Sequence, residues 1–251
     1  MYAPPPGQGS NPQASINEKF VGGPQITPGL CFESPSVVIS LPNMPSGLFQ
    51  QDFRIALRGM IAVHHSIYTQ IPPQGIYFEC LVENTFRRVR TPFEIIRATN
   101  RNQPTHDLLV EGHRLSLKTE TGYGTDRESI NITKLCTTER EPWTPDVLIG
   151  RVIAHLDRYD LVLMLRSIWE TPALHYQLVE IPVGTLRLIR NAELRPVGRR
   201  RGRGSLGADI LIGDEVAFHV HFDGSDGKCQ IRGLLLSHCD VLEEWDIRIA
   251  D

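Results

Sequence analysis

Lysine is nearly missing from this 251-residue chain. Four lysines stand against 22 arginines, so the cationic groups are mostly planar guanidinium forks suited to bidentate contact with phosphate or carboxylate. Long apolar runs are missing too: the longest, Leu161-Val-Leu-Met-Leu165, stops at Arg166, far short of a membrane span. The five cysteines, Cys31, Cys80, Cys136, Cys229 and Cys239, include no C-x-x-C pair, and no secretory leader is evident, which points to reduced thiols. There is no G-x-S-x-G, no P-loop and no dinucleotide fingerprint. No cofactor is implied and no residue is assigned a catalytic role.

What is present is enough apolar sequence for a substantial core, 41% of residues, with a formal net charge of only −3. Proline and glycine are concentrated at the start: seven prolines and five glycines fall within the first 35 residues. Such a segment buries too little apolar surface to offset its ordering entropy. Residues 1–35 are therefore expected to form a flexible arm and residues 36–251 one globular domain, with a possible subdivision near 140–145.

The pattern beyond the arm predicts an α+β fold, rich in antiparallel strands and carrying two main helices. Val37–Leu41 has strand character, and from Ser46 to Tyr68 the residues Phe49, Phe53, Ala56, Met60, Val63 and Ile67 recur at helical spacing. Strands are expected at 76–82, 93–97, 108–118 and 129–136. Thr144-Pro-Asp146 starts the second helix, with a threonine cap, proline at the first turn and Leu148, Val152 and Leu156 on one face. Further strands are expected at 161–168, 175–181, 185–189, 209–212, 215–222 and 230–236, the last two joined by the turn Asp223-Gly-Ser-Asp-Gly227.

Two constellations carry possible chemistry. Arg187, Arg190, Arg195, Arg199, Arg200, Arg201 and Arg203 fall within 17 residues that hold one acid, Glu193. Glycines at 198, 202 and 204 make this an exposed loop, and its charge suits a polyanion, nucleic acid or anionic lipid, bound without sequence specificity. In His219-Val-His221-Phe-Asp223 the alternation of a strand puts both imidazoles and the carboxylate on one side, the arrangement of a metal site in a hydrolase. Only His238 and Cys239 follow as further ligands, and half-buried, hydrogen-bonded histidines are the preferred reading. His64 and His65 are adjacent in a helix, so their rings diverge; one is expected to pack and one to be solvated.

The order of arm, strand, amphipathic helix, proline turn and strand, carried by Val37–Leu41, by Phe49-Gln-Gln-Asp52-Phe-Arg-Ile-Ala56 with His65 and Tyr68, and by Ile76–Leu81, resembles the matrix proteins of rhabdovirus-like negative-strand RNA viruses over residues 36–86. The resemblance implies a non-enzymatic viral structural protein of the virion. It would self-assemble into homo-oligomers and bridge nucleoprotein-RNA to an anionic membrane surface through the arginine loop, in the host cytoplasm or nucleus. The alternatives are an icosahedral capsid subunit, a sequence-tolerant RNA-binding viral protein, or a metal-dependent hydrolase at His219 and His221.

Overall fold

A computed structural model describes residues 46–95, 107–138, 142–198 and 203–249. The predicted strand at Val37–Leu41, the proline-rich arm and Arg199–Arg201 lie outside these residues.

The expected α+β, β-rich class is what the structure shows. Helices α1 (Gln51–Ile67) and α2 (Ile76–Val89) open the described chain, followed by strands β1 (Phe93–Ile95), β2 (Leu108–Val110), β3 (His113–Glu120) and β4 (Ser129–Thr137). Helix α3 (Pro145–Leu156) leads to β5 (Leu161–Glu170) and β6 (Ala173–Pro182), then a short α4 (Val183–Arg187) and a 3-10 turn (Leu188–Asn191). Strands β7 (Arg195–Val197), β8 (Ser205–Ile212), β9 (Glu215–Phe222), β10 (Lys228–Leu235) and β11 (Asp240–Arg248) complete it.

These strands form two sheets. The first runs in the order β1-β2-β3-β5-β6-β11 and is antiparallel except where β3 pairs parallel with β5; the second runs β4-β10-β9-β8-β7 and is antiparallel throughout. A parallel pair needs a crossover, and here β4 and α3 supply it between β3 and β5. Strand β3 therefore carries the six-stranded sheet on one side while its connection builds the edge of the other sheet. Two apolar clusters follow. One packs α1 and α2 against Leu115, Leu117, Leu163 and Leu165; the other packs α3 and the five-stranded sheet against Val162 and Met164.

The alternation of β3 makes it two-faced. Leu115 and Leu117 belong to the helix side, so Ser116, Lys118 and Glu120 point to the other. Between β2 and β3 the chain reverses at Glu111 and Gly112, with φ of 48° and 83°, the two positive values that a primed two-residue hairpin turn demands.

Two segments predicted as strands are helical. Residues 76–82 belong to α2, whose buried positions Phe78, Val82, Thr85 and Phe86 are spaced three or four apart; tertiary burial of that stripe overrides the β-prone composition of Ile76, Tyr77 and Val82. Residues 185–189 form α4 and the 3-10 turn. The buried stripe of α1 is also rotated from the predicted one: Phe53, Leu57, Ile61, His64 and His65 are inward, while Val63 and Ile67 are 61% and 69% exposed. Both histidines are buried, His64 Nε2 lying 2.9 Å from the Ile71 carbonyl and His65 Nε2 2.6 Å from the Tyr176 hydroxyl. Ser46 does not cap α1; its amide and hydroxyl both donate to Glu180, at 3.1 and 2.9 Å.

The sheets are tied by a buried polar network. Arg166 on β5 has no solvent exposure. Its Nε donates to Glu120 at 2.8 Å, its Nη1 to Gln177, and its Nη2 to the carbonyls of Asp126 and Ser129. The other oxygen of Glu120 accepts from the backbone and side chain of Asn131 on β4, at 2.9 and 3.0 Å. Removing one partner of such a pair strands a buried charge. Arg166→Met is expected to lower unfolding free energy by about 3–5 kcal/mol in urea titrations, and Arg166→Met with Glu120→Leu to lower it by less than the single change.

Candidate active site

The polar face of β3 gathers a charged cluster that composition does not reveal. Asp107, just before β2, is drawn alongside it: its amide donates to the Leu115 carbonyl at 2.8 Å, and its Oδ2 accepts from the Leu117 amide at 2.6 Å. This pins the carboxylate beside Ser116 and Lys118. Lys118 Nζ donates to Ser116 Oγ at 3.0 Å. Glu79, on the first turn of α2 and so on the leucine side of β3, is near enough for its charge to be felt here. Its charge and that of Asp107 act on the same ammonium, and the two carboxylates act on each other.

Burial sets the local electrostatics. It pushes the Lys118 ammonium below the ordinary lysine range, against the pull of Asp107 and Glu79. It also raises the Glu79 carboxyl, and the negative charge of Asp107 adds to that rise. The charges of two acids thus act on one poorly solvated lysine, where such interactions are strong.

The last turn of α3 closes on this cluster. Arg114 clamps it: Nε and Nη2 bind the two oxygens of Asp160 at 3.1 and 2.7 Å, and Nη1 donates to the Asp157 carbonyl at 2.9 Å. His155 is held neutral, its pKa lowered to about 3 by burial first and then by the positive charges of Lys118, Arg158 and Arg151. Tyr159 is 1% exposed, and burial raises its hydroxyl pKa. The His155 and Tyr159 rings meet edge to face at 5.1 Å. Among the described residues three buried polar atoms here find no hydrogen-bond partner: His155 Nε2, Arg158 Nη1 and Tyr159 Oη.

Asp107, a carboxylate held beside Ser116 with the charge of Glu79 acting on it, suits a hard divalent cation. Among the described residues no group of three or more His, Cys, Asp and Glu side chains converges as a metal cage. A site with few protein carboxylates and no cage matches magnesium, which keeps several waters and takes its remaining ligands from substrate phosphates.

The residues singled out in the sequence lie elsewhere. Arg187 is used structurally, its Nη2 3.2 Å from Asp157 and directed at the Leu156 carbonyl. Arg203 stacks on Trp143, 3.9 Å above the ring, and donates to the Gly224 carbonyl. Arg190 and Arg195 are exposed, Arg195 pairing with Glu193 at 3.0 Å; Arg199, Arg200 and Arg201 fall outside the described residues. His219 and His221 lie on β9 in an open groove of about 1120 Å³ over the five-stranded sheet, and Asp223 lines it too. His219 Nδ1 is 2.5 Å from Asp209.

A family model described as SmaI, type II site-specific deoxyribonuclease, matches residues 31–247. The type II restriction enzyme SmaI of Serratia marcescens is 27% identical over 205 residues, 79% of this chain and 81% of that protein. No solved structure matches. These findings overturn the matrix-protein resemblance and with it the non-enzymatic reading, the capsid and RNA-binding alternatives, the virion and membrane location, and the viral nucleoprotein and lipid partners. The fold adds a physical reason: of the run that carried the resemblance, residues 76–81 are helix. Neither finding bears on His219 and His221 as metal ligands.

The clamp beneath the site titrates. Hydrogen bonds from Arg114 hold the Asp160 carboxyl below its ordinary value of 3.8. Its contribution to stability is present above that value and is lost as pH falls through the lower folded-state pKa. Asp160→Asn is expected to melt below the wild type at pH 7, and the gap to shrink as melting is repeated at progressively lower pH below about 4.

Proposed function

Because this chain belongs to the SmaI family of type II site-specific deoxyribonucleases, we propose that it hydrolyses phosphodiester bonds of DNA at the Glu79, Asp107 and Lys118 cluster. The observation that supports the assignment is the docking of Asp107 against β3 beside Ser116 and Lys118, with the charge of Glu79 acting on the same ammonium.

Phosphodiester hydrolysis needs an attacking water, charge stabilisation on the phosphoryl oxygens and a tolerated leaving oxygen. A divalent cation supplies Lewis acidity and an activated water when bound. Glu79 and Asp107 would hold it. Lys118, fixed by Ser116 and poorly solvated, places positive charge where the phosphate gains negative charge, the kind of preorganised electrostatic stabilisation that acts most strongly away from water. Arg158 and Tyr159 add donors in the same region, and neutral His155 offers an acceptor to a bound water. Arg190 and Arg195 would contact backbone phosphates at the periphery, where each contact adds affinity without reading sequence.

Purified protein with magnesium is expected to cut plasmid DNA into discrete fragments. Asp107→Asn, Glu79→Gln and Lys118→Met should each slow single-turnover cleavage by about 100-fold or more. Full activity in all three variants would exclude this site. Tyr159→Phe removes a buried hydroxyl that has no hydrogen-bond partner among the described residues, so it should leave the melting temperature equal or higher while slowing cleavage by about tenfold or more. A lower melting temperature with unchanged cleavage would make the hydroxyl structural instead.

A further inference from the structure

A nuclease that cuts at one sequence needs a surface that reads base edges, and the catalytic cluster does not supply one: its residues are carboxylates, a lysine and groups suited to phosphate. The open groove over the five-stranded sheet has the complementary character. Its floor is the outward face of β8, β9 and β10, where alternation puts Asp209, His219, His221 and Arg232 on one side. In register, His219 lies between Asp209 on β8 and Arg232 on β10.

Several features preorganise this floor. Arg232 is braced by Gln230, whose Oε1 accepts from Nη2 at 2.6 Å and from Nε at 3.1 Å. His219 is held through Nδ1 by Asp209. A Cβ at Gly207 would stand 3.0 Å from the Val220 carbonyl, so glycine there keeps β8 close against β9. At the rim Arg195 lines the groove beside its ion-pair partner Glu193, and the chain leaves the groove at Gly198 and returns at Ser205. A strand surface floored by preorganised hydrogen-bonding side chains, with Arg232 and Arg195 among them, fits duplex DNA in chemistry, since a major groove admits β-strands and exposes donors and acceptors.

Resting on the assignment of this chain as a site-specific deoxyribonuclease, we propose that the β8–β10 groove is its sequence-reading surface and that Arg232 and His219 contact base edges in the major groove, with Arg195 on a phosphate. The Arg232 fork matches the paired O6 and N7 acceptors of guanine, so the position it reads is a G·C pair. The groove is held to the catalytic cluster through Arg187, which ties α4 to the last turn of α3; the turn that follows ends at Asn191 on the groove wall.

The test separates reading from cutting. Binding is measured on the Asp107→Asn protein in calcium buffer, with the cleaved sequence, every single-base-pair substitution of it, and an unrelated duplex, at several salt concentrations. Adding Arg232→Ala should reduce discrimination at one G·C position by roughly 5- to 150-fold while leaving affinity for the unrelated duplex within about twofold. His219→Ala should relax another position. Arg195→Ala should instead weaken all sequences alike and reduce the salt slope by about one. Melting curves establish that these exposed-residue variants are folded. Discrimination unchanged in both Arg232→Ala and His219→Ala, in a protein that binds its cleaved sequence selectively, would overturn the groove assignment and leave the nuclease assignment standing. If the wild type cuts no DNA across a panel of unmodified genomic substrates, and the Asp107→Asn protein shows no sequence preference, both assignments fall together.

Discussion

A guanidinium with none of its surface in water has to be satisfied from every side, and in this protein that requirement fixes the frame on which the site is built. Arg166 draws on Glu120 from β3, Gln177 from β6 and two carbonyls at the start of β4. Glu120 and Arg166 are also register partners across the parallel β3 and β5 pair. A slip of one residue would turn every β3 side chain to the opposite face. It would carry Ser116 and Lys118 into the leucine-rich core and break a buried ion pair at the same time. The network therefore enforces the register that keeps the polar face of β3 together as a site, and through Asn131 it holds the second sheet to that strand.

Around this frame the charges are arranged against the character of the whole chain. The net charge is mildly negative, yet Lys118 senses Lys134, and His155 senses Lys118, Arg151 and Arg158. Positive groups from β3, β4 and α3 thus act on one another where the charges of Asp107 and Glu79 are also felt. Such a mixture is costly without a bound partner, because burial weakens the hydration of each ion. A phosphate with its cation supplies both signs at once. The scarcity of lysine sharpens the point: of four lysines in the chain, two contribute to this field. An ammonium, compact and strongly perturbed by burial, differs in kind from the arginine forks used on the surface.

Much of the fold was legible, and the site was legible only in fragments. The strands at 161–168 and 215–222 and the helix starting at Pro145 follow directly from periodicity and turn chemistry, because their buried faces coincide with their local propensities. Ile76–Val89 did not, since isoleucine, tyrosine, phenylalanine and valine in a short run favour a strand locally while Phe78, Val82 and Phe86 satisfy a helical stripe. Reading that segment as a strand removed Glu79 from view. The signal in β3 was present: Arg114, Ser116, Lys118 and Glu120 alternate with Leu115 and Leu117, a polar face within a strand that the fold buries on both sides. A cluster of arginines is visible along one dimension, whereas Glu79, Asp107 and Lys118 are separated by 28 and 11 positions and meet only once the hairpin and α2 are in place.

The distribution of unsatisfied groups argues that this convergence is functional. Buried polar atoms without partners each cost on the order of 1–3 kcal/mol, and folded proteins carry few of them. Ser167 Oγ, Trp245 Nε1 and Arg54 Nε are such atoms on separate elements, β5, β11 and α1. His155 Nε2, Arg158 Nη1 and Tyr159 Oη are three within five residues, on the turn that Arg114 clamps against β3. Replacing tyrosine by phenylalanine would relieve part of that cost without changing the packing, so stability alone gives no reason to keep the hydroxyl. Its presence in the turn that Arg114 clamps follows if the compensating partner arrives with the substrate: a phosphate oxygen for the two donors and a water for the imidazole nitrogen.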